Sequence, residues 1–92
     1  MQFLTISRRH DGSATPPDPE IVKAEVRRAR ALYAEGRIRQ LWHRADGPGA
    51  CVLWEAENEG EVRRMLESLP LFLAGQVEVT IVPLSPWAGF AP

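Results

Sequence analysis

The stretch IRQLWHRADGPGACVLWE, residues 38–55, is typical of a β-hairpin. Two strand-like runs, 38–44 and 50–55, are joined by chain-breaking residues rich in Gly and Pro. Neither run alternates cleanly, because large apolar residues stand side by side at 41–42 and at 53–54. Both faces of the predicted sheet therefore carry large apolar groups. The helices of a short chain can cover only one face, so we expect a partner chain to cover the other.

Elements on either side of the hairpin give a β-α-β-β-α-β order. Residues 1–8 have strand composition, and residues 76–82 alternate between apolar and polar, which predicts a further strand at each end of the order. Asp18, followed by Pro19, is typical of a helix N-cap, and this first helix is predicted to run to about Glu35. The order is that of an α+β, ferredoxin-like domain with an antiparallel sheet.

The second helix is predicted from its N-cap and its apolar stripe. Asn58 and Glu61 have the spacing of a capping box, and Pro70 predicts the end of the helix. Its stripe has i, i+3, i+4, i+7 spacing and consists of Val62, Met65, Leu66 and Leu69. Residues 11–17 are rich in chain breakers and predict a loop.

Length and composition limit the class of protein. The 92 residues fit one domain, with a core over about 1–84 and a tail, 85–92, predicted to pack on a neighbouring chain. A net charge of −1 argues against a nucleic-acid partner, and no apolar run approaches the roughly 20 residues that span a membrane. Cys51 is the single cysteine and no secretory signal is recognisable, so we expect a cytoplasmic protein.

Glu25 is the most informative single residue. It falls within the apolar stripe of the first helix, which consists of Val22, Glu25, Ala29 and Leu32. A carboxylate that loses hydration there gains a higher pKa and becomes a better base near neutral pH. The alternative is a structural Glu25 at the edge of the stripe, paired with Arg28 or with an arginine of the sheet.

Arg39, Leu41 and His43 alternate along the second strand and are predicted to share one face. If that face meets the first helix, Arg39 can hold a substrate carboxylate through two parallel hydrogen bonds, and His43 can move a proton or donate a hydrogen bond. The alternative is that both side chains are exposed to water at a sheet edge. Trp42 is predicted on the opposite face as an oligomer contact. No metal, nucleotide or nucleophilic-serine motif occurs, so no cofactor is expected.

The sequence resembles the muconolactone isomerase family. The resemblance is carried by Gly36, by Arg39 with Leu41-Trp42, and by two blocks, Leu-Pro-Leu-Phe at 69–72 and Val-Glu-Val at 77–79. It implies a ferredoxin-like subunit that pairs into a dimeric α+β barrel and larger rings. It also implies a cofactor-free isomerase that moves a double bond in a small unsaturated lactone acid.

The resemblance implies catalytic roles for three residues. Glu25 would be the base, His43 would stabilise the enolate-like intermediate, and Arg39 would hold the carboxylate. The predicted substrate-binding residues are Arg39, Tyr33, Leu71, Phe72 and Trp54. The chain departs from the family at four places where substrate contacts are expected. His43 replaces an arginine, Leu73-Ala74 replaces Pro-Tyr, residues 84–87 replace a His-Pro-Ser segment, and the loop at 11–17 differs from the family's entry to the first helix.

Two other functions stay open from the sequence. The same barrel can carry a cofactor-free monooxygenase or a polyketide-type cyclase, for which the three tryptophans would suit a larger aromatic substrate. A non-catalytic oligomeric protein that binds a small ligand is the third hypothesis. The isomerase predicts Glu25 inside a cleft with Arg39 close by. A pocket too long and apolar for a small lactone acid would favour the second hypothesis, and a filled cleft with an exposed, ion-paired Glu25 would favour the third.

Overall fold

A computed structural model describes residues 1–9 and 17–92 of the chain. Its elements confirm the predicted order and add one short helix. They are β1 (Gln2–Arg9), α1 (Pro19–Ala34), β2 (Ile38–His43), β3 (Ala50–Glu55), α2 (Glu59–Leu66), α3 (Pro70–Leu73), β4 (Val77–Pro83) and a 3-10 turn (Ala88–Phe90). The predicted loop at 11–17 lies outside the described residues except for its last position.

The four strands form one antiparallel sheet in the order β2-β3-β1-β4. In the two central strands, Phe3 pairs with Trp54 and Thr5 pairs with Val52, and all four side chains are buried. They pack on core residues of α1, of α2 and of the connection between α2 and α3, which are Leu32, Val62, Met65, Leu66 and Leu69. The helices therefore cover one face of the sheet, as predicted for an α+β domain.

The predicted helix caps are confirmed. The Oδ1 atom of Asp18 accepts a hydrogen bond from the Glu20 N–H at 2.8 Å, and Asn58 Oδ1 accepts one from the Glu61 N–H at 2.8 Å. The α1 helix ends at Ala34 with Glu35 as its C-cap, and the next residue, Gly36, has a φ of +78°, in the left-handed region that favours glycine.

The prediction for Pro70 needs correction. The α2 helix already ends at Leu66, and Pro70 is the first residue of α3. A proline suits this position because the first helical residue has no intrahelical use for its N–H. The sequence predicts that Pro70 ends one helix, whereas in the structure Pro70 begins the next.

The apolar stripe of α1 is only partly in the core. Leu32 is fully buried and Ala29 packs against the core, but Val22 and Val26 are exposed in the single chain. Tyr33, which flanks the stripe, is 64% exposed. The N-terminal half of the stripe therefore leaves apolar surface uncovered by the described residues of this chain.

The sheet face opposite the helices is apolar as well, and we call it the outer face. Leu4 pairs with both Leu53 and Val82, and Cys51 pairs with both Ile6 and Trp42. Since paired residues share a face, these six side chains lie on the side away from Phe3, Thr5 and the helices. Trp42 is 49% exposed there. The prediction of a sheet with two apolar faces is confirmed.

The C-terminal tail is hydrogen-bonded to the sheet at its beginning and is exposed farther along. The Leu84 N–H donates to the Gln2 carbonyl at 3.0 Å. Farther along, the rings of Trp87 and Phe90 meet edge to face with centroids 4.7 Å apart, although both residues are exposed. Packing of this tail on a neighbouring chain stays a prediction.

No helix among residues 1–9 and 17–92 has the length and apolarity that crossing a membrane requires.

Gly49 allows the closest backbone approach in the hairpin, and its replacement tests the fold. Its φ is +149°, and a Cβ atom there would lie 2.1 Å from the Ser7 carbonyl oxygen. We expect Gly49→Ala to lower the free energy of unfolding by about 2 kcal/mol, because a side chain would be strained and the backbone would have to move. Gly47→Ala is the control, since a Cβ there meets nothing within 4 Å. Equal urea denaturation midpoints for the two variants would contradict this account.

Candidate active site

A cleft of about 600 Å³ lies between the helices and the sheet. Its apolar walls are formed mainly by Val52, Trp54, Leu66, Leu69, Leu71 and Phe72. Its polar side chains are Thr5, Ser7, Arg9, Glu25 and His43. An apolar cavity with a few convergent polar groups is the usual form of a small-molecule site.

Glu25 enters the cleft from α1 and contacts the beginning of α3. Its Oε1 atom accepts a hydrogen bond from the Leu71 N–H at 3.1 Å. The first N–H groups of a helix have no partner within it, and Leu69, the N-cap of α3, makes no side-chain capping bond. The Glu25 carboxylate therefore caps α3 from a distant part of the sequence, and it positions Leu71 and Phe72 in the cleft wall.

The electrostatics of Glu25 agree with its position. Burial in the cleft raises the pKa of the Glu25 carboxyl group above its ordinary value, and the hydrogen bond from Leu71 opposes this with a smaller effect. The predicted alternative of a pair with Arg28 is not formed, because Arg28 Nε donates to Ser68 Oγ at 2.9 Å. Within the described residues, Glu25 is thus a half-buried carboxylate without an ion pair.

His43 lines the same cleft from the end of β2. It pairs with Ala50, whose N–H donates to Ser7 Oγ at 3.1 Å and whose carbonyl accepts from that hydroxyl at 3.3 Å. Farther along the same face, the Trp54 Nε1–H donates to Thr5 Oγ1 at 2.8 Å, and this bond links the next two rows of the sheet. The expectation that Glu25 and His43 share a cleft agrees with this arrangement.

Arg39 and Tyr33 lie outside the cleft. A β-bulge between Ile38 and Gln40 breaks the alternation that was predicted for β2. As a result, Leu41 and His43 line the cleft, whereas Arg39 is exposed and is not part of the lining. Tyr33 borders a neighbouring shallow depression instead. The predicted residues Leu71, Phe72 and Trp54 are all in the cleft wall.

Arg9 is a cleft residue that the sequence reading missed. Residues Phe3, Thr5, Ser7 and Arg9 alternate along β1, and the register pairs Arg9 with Val77, another lining residue. The predicted strand ended at Arg8, which left Arg9 outside the alternation. Extending the period of two by one residue would have found it.

The candidate site has no evident metal centre. Over residues 1–9 and 17–92, no three side chains of His, Cys, Asp or Glu are grouped so that they could hold a metal ion. The chemistry available to the described lining is that of a carboxylate, an imidazole, a guanidinium and two hydroxyl groups.

A model of the muconolactone delta-isomerase family matches residues 2–88. The chain belongs to this family. No curated protein matches the sequence. Among solved structures, muconolactone isomerase aligns with a TM-score of 0.82 and 19% identity over 100% of this chain and 96% of the other. The predicted resemblance and the predicted fold are therefore confirmed.

Two further structures share the fold. A 5-chloro-2-hydroxyhydroquinone dehydrochlorinase from Burkholderia phenoliruptrix AC1100, in complex with 2,5-dihydroxybenzoquinone, aligns with a TM-score of 0.70 and 18% identity over 97% and 98% of the two chains. An uncharacterized NIPSNAP domain protein from Burkholderia xenovorans aligns with a TM-score of 0.53 and 17% identity over 100% and 99%. At such identities these structures support the fold alone, and it is the family that supports an enzyme acting on a small molecule.

The raised pKa of Glu25 gives a pH-dependent prediction for stability. A carboxyl group whose pKa is higher in the folded state stabilises the fold below its unfolded pKa, and this contribution is lost as the pH rises through the folded pKa. Glu25→Gln removes the titration and keeps an oxygen that can accept from Leu71. We expect its advantage in unfolding free energy over the unmodified protein to grow as the pH rises above the ordinary 4.5 and through the raised pKa of folded Glu25.

Urea denaturation across this pH range measures the difference. The carboxyl ¹³C signal that disappears in Glu25→Gln identifies the group, and its titration midpoint should lie above the ordinary 4.5. A difference in unfolding free energy that stays constant with pH would contradict the assignment of burial as the dominant cause.

Proposed function

We propose that this protein is a cofactor-independent isomerase that shifts a double bond in a small unsaturated lactone acid. The observation that carries the proposal is a half-buried carboxylate, Glu25, in an apolar cleft of a muconolactone delta-isomerase family member. Burial raises the pKa of Glu25, which brings its basicity closer to what proton abstraction near neutral pH requires.

The reaction needs one proton to leave and to return. Glu25 removes a proton from a carbon at one end of the system formed by the double bond and the lactone carbonyl, and the electron pair of that C–H bond moves into an enolate. The enolate re-forms a carbonyl when Glu25 returns the proton at the far carbon of the conjugated system. The double bond has then moved, the atoms balance, and Glu25 is again a carboxylate. No oxidant or second substrate is consumed.

Other groups of the cleft support these steps. The Leu71 N–H holds one oxygen of Glu25, which fixes the orientation of the carboxylate before the substrate binds. His43 lies on the same side of the sheet and is proposed to donate a hydrogen bond to the enolate oxygen. The apolar walls exclude water, which strengthens both interactions.

The volume of the cleft favours a second candidate function on the same site. About 600 Å³ falls within the range of sites for drug-sized ligands, about 300–1,000 Å³, and exceeds the need of a single lactone ring. Aromatic walls from Trp54 and Phe72 would suit a larger aromatic substrate. An enzyme of the cyclase or monooxygenase type is therefore the alternative. A purely structural role for Glu25 is disfavoured, since the cleft is open and Glu25 has no ion pair within the described residues.

We also propose that the working form is a homodimer or a larger homo-oligomer joined through the outer face. This face carries a continuous set of apolar side chains, and nothing in the described part of the chain packs helices on it. A second sheet of the same kind would bury these groups and remove them from water.

Trp42→Ala tests the proposed interface. Loss of this half-exposed indole from the outer face should weaken self-association and shift the mass measured by light scattering toward that of one chain. Leu73→Ala is the control, because Leu73 is an equally apolar, exposed residue on α3. If both variants keep the oligomer size of the unmodified protein at all concentrations, Trp42 does not contribute to an interface between outer faces.

Glu25→Gln tests the proposed base. With muconolactone in D₂O, NMR should show deuterium uptake or conversion by the unmodified protein and a loss of at least about 100-fold in Glu25→Gln. The control is Glu20→Gln on the exposed side of the same helix, where Glu20 pairs with Lys23. Undiminished turnover in folded Glu25→Gln would remove Glu25 as the base. Silence of the unmodified protein would exclude muconolactone and favour the larger aromatic substrate.

A further inference from the structure

Arg9 stands at the end of β1 with its side chain on the cleft side of the sheet. We propose that Arg9 binds an acidic group of the ligand, so that the cleft selects amphipathic acids whose apolar body is larger than one small ring. The inference rests on the proposed function, because it names the substrate class and a specificity-determining residue for the same cleft.

The register of β1 makes one end of the cleft polar and the other apolar. Thr5, Ser7 and Arg9 follow one another along the cleft face, and from Thr5 to Arg9 the strand advances about 13 Å. Thr5 is buried and bonded to Trp54 at the apolar end. Arg9 lies at the opposite end, beside Val77. A ligand that spans this distance has apolar walls around one end and the guanidinium group of Arg9 at the other.

Small residues leave room for a ligand between Arg9 and His43. Ala50 stands between His43 and Ser7 in the same row of the sheet. Gly49 is next to it, and its close approach to Ser7 excludes any side chain. The Arg9 N–H reaches the Pro48 carbonyl at 3.4 Å, which keeps the end of β1 beside this loop. The strands that carry His43 and Arg9 are two strand spacings apart, about 10 Å. Gly49 and Ala50, which lie between them, carry no large side chain.

Charge distribution points to Arg9 rather than to another arginine. Among the described lining residues, Arg9 is the one lysine or arginine side chain. Arg44 is near the same loop but is not part of the cleft lining. Arg39 is exposed outside the cleft. A guanidinium offers the paired donors that a carboxylate accepts, and it offsets the repulsion between an acidic ligand and ionised Glu25.

Apolar walls determine the rest of the ligand. The lining includes Val52, Trp54, Leu69 and Phe72, none of which carries a charge. Burial of aromatic or aliphatic surface there removes it from water and so stabilises the complex. The expected ligand therefore has a carboxylate at one end and an apolar body of about two rings.

Isothermal titration calorimetry with 2-naphthoate and its neutral analogue 2-naphthamide tests the inference. The unmodified protein should bind 2-naphthoate at least about 10-fold more tightly than 2-naphthamide. Arg9→Gln should abolish this preference, and Arg9→Lys should retain part of it. Arg8→Gln is the matched control, since Arg8 is the preceding residue, lies on the outer face and pairs with Glu78 at 2.7 Å. Titration of the Trp54 indole N–H signal shows whether the ligand enters the cleft.

Each outcome supports or overturns the assignment. Equal affinities for the two probes, no binding of 2-naphthoate, or an unchanged preference in folded Arg9→Gln would overturn it. Loss of the preference in Arg39→Gln with Arg9→Gln unaffected would return the role to Arg39. Binding is also measured in Glu25→Gln. If proton exchange is absent while binding and its dependence on Arg9 are retained, the proposed isomerase is overturned and the role of Arg9 stands.

Discussion

The hydrogen bond between Trp54 and Thr5 is the interaction on which the rest of the structure depends. Both residues are buried in the two central strands, and Trp54 has no exposed surface at all. A shift of one residue between β1 and β3 would turn the indole to the outer face and leave its N–H without this acceptor. The bond therefore selects one register, which in turn decides which side chains of every strand face the helices.

Glu25 joins the stability of the fold to its proposed chemistry. The same oxygen that the reaction would use as part of a base also caps α3, the helix that contributes Leu71 and Phe72 to the cleft wall. Burial disfavours the ionised carboxylate, and the backbone N–H partly compensates. A buried carboxylate at this place makes the fold less stable than an apolar side chain would. Reactive groups commonly lower the stability of the protein that carries them.

The fold could be predicted from the sequence because local signals agreed with one another. The caps at Asp18 and Asn58, the glycine-rich hairpin and the stripe of α2 all depend on residues close together in the chain. The site could be predicted only in part. The bulge that removes Arg39 from the cleft is a property of two paired strands, and it leaves no mark in β2 alone. Arg9 was missed because β1 extends one residue beyond the predicted strand, through its pairing with Val77 of β4.

The adjacent arginines of β1 illustrate how this sheet separates two kinds of surface. Arg8 belongs to the outer face and Arg9 to the cleft, and the same alternation continues along β3 and β4. Replacements at Ser7 and Arg9 can therefore alter ligand preference, and replacements at even-numbered positions of β1 can alter the outer face, with little interference, whereas the buried Phe3 and Thr5 are held by the core. Insertions and deletions behave differently from substitutions, because a change of one residue within the strand exchanges the two sets at once. Divergence of such a chain should proceed by replacement within strands and by length changes confined to loops.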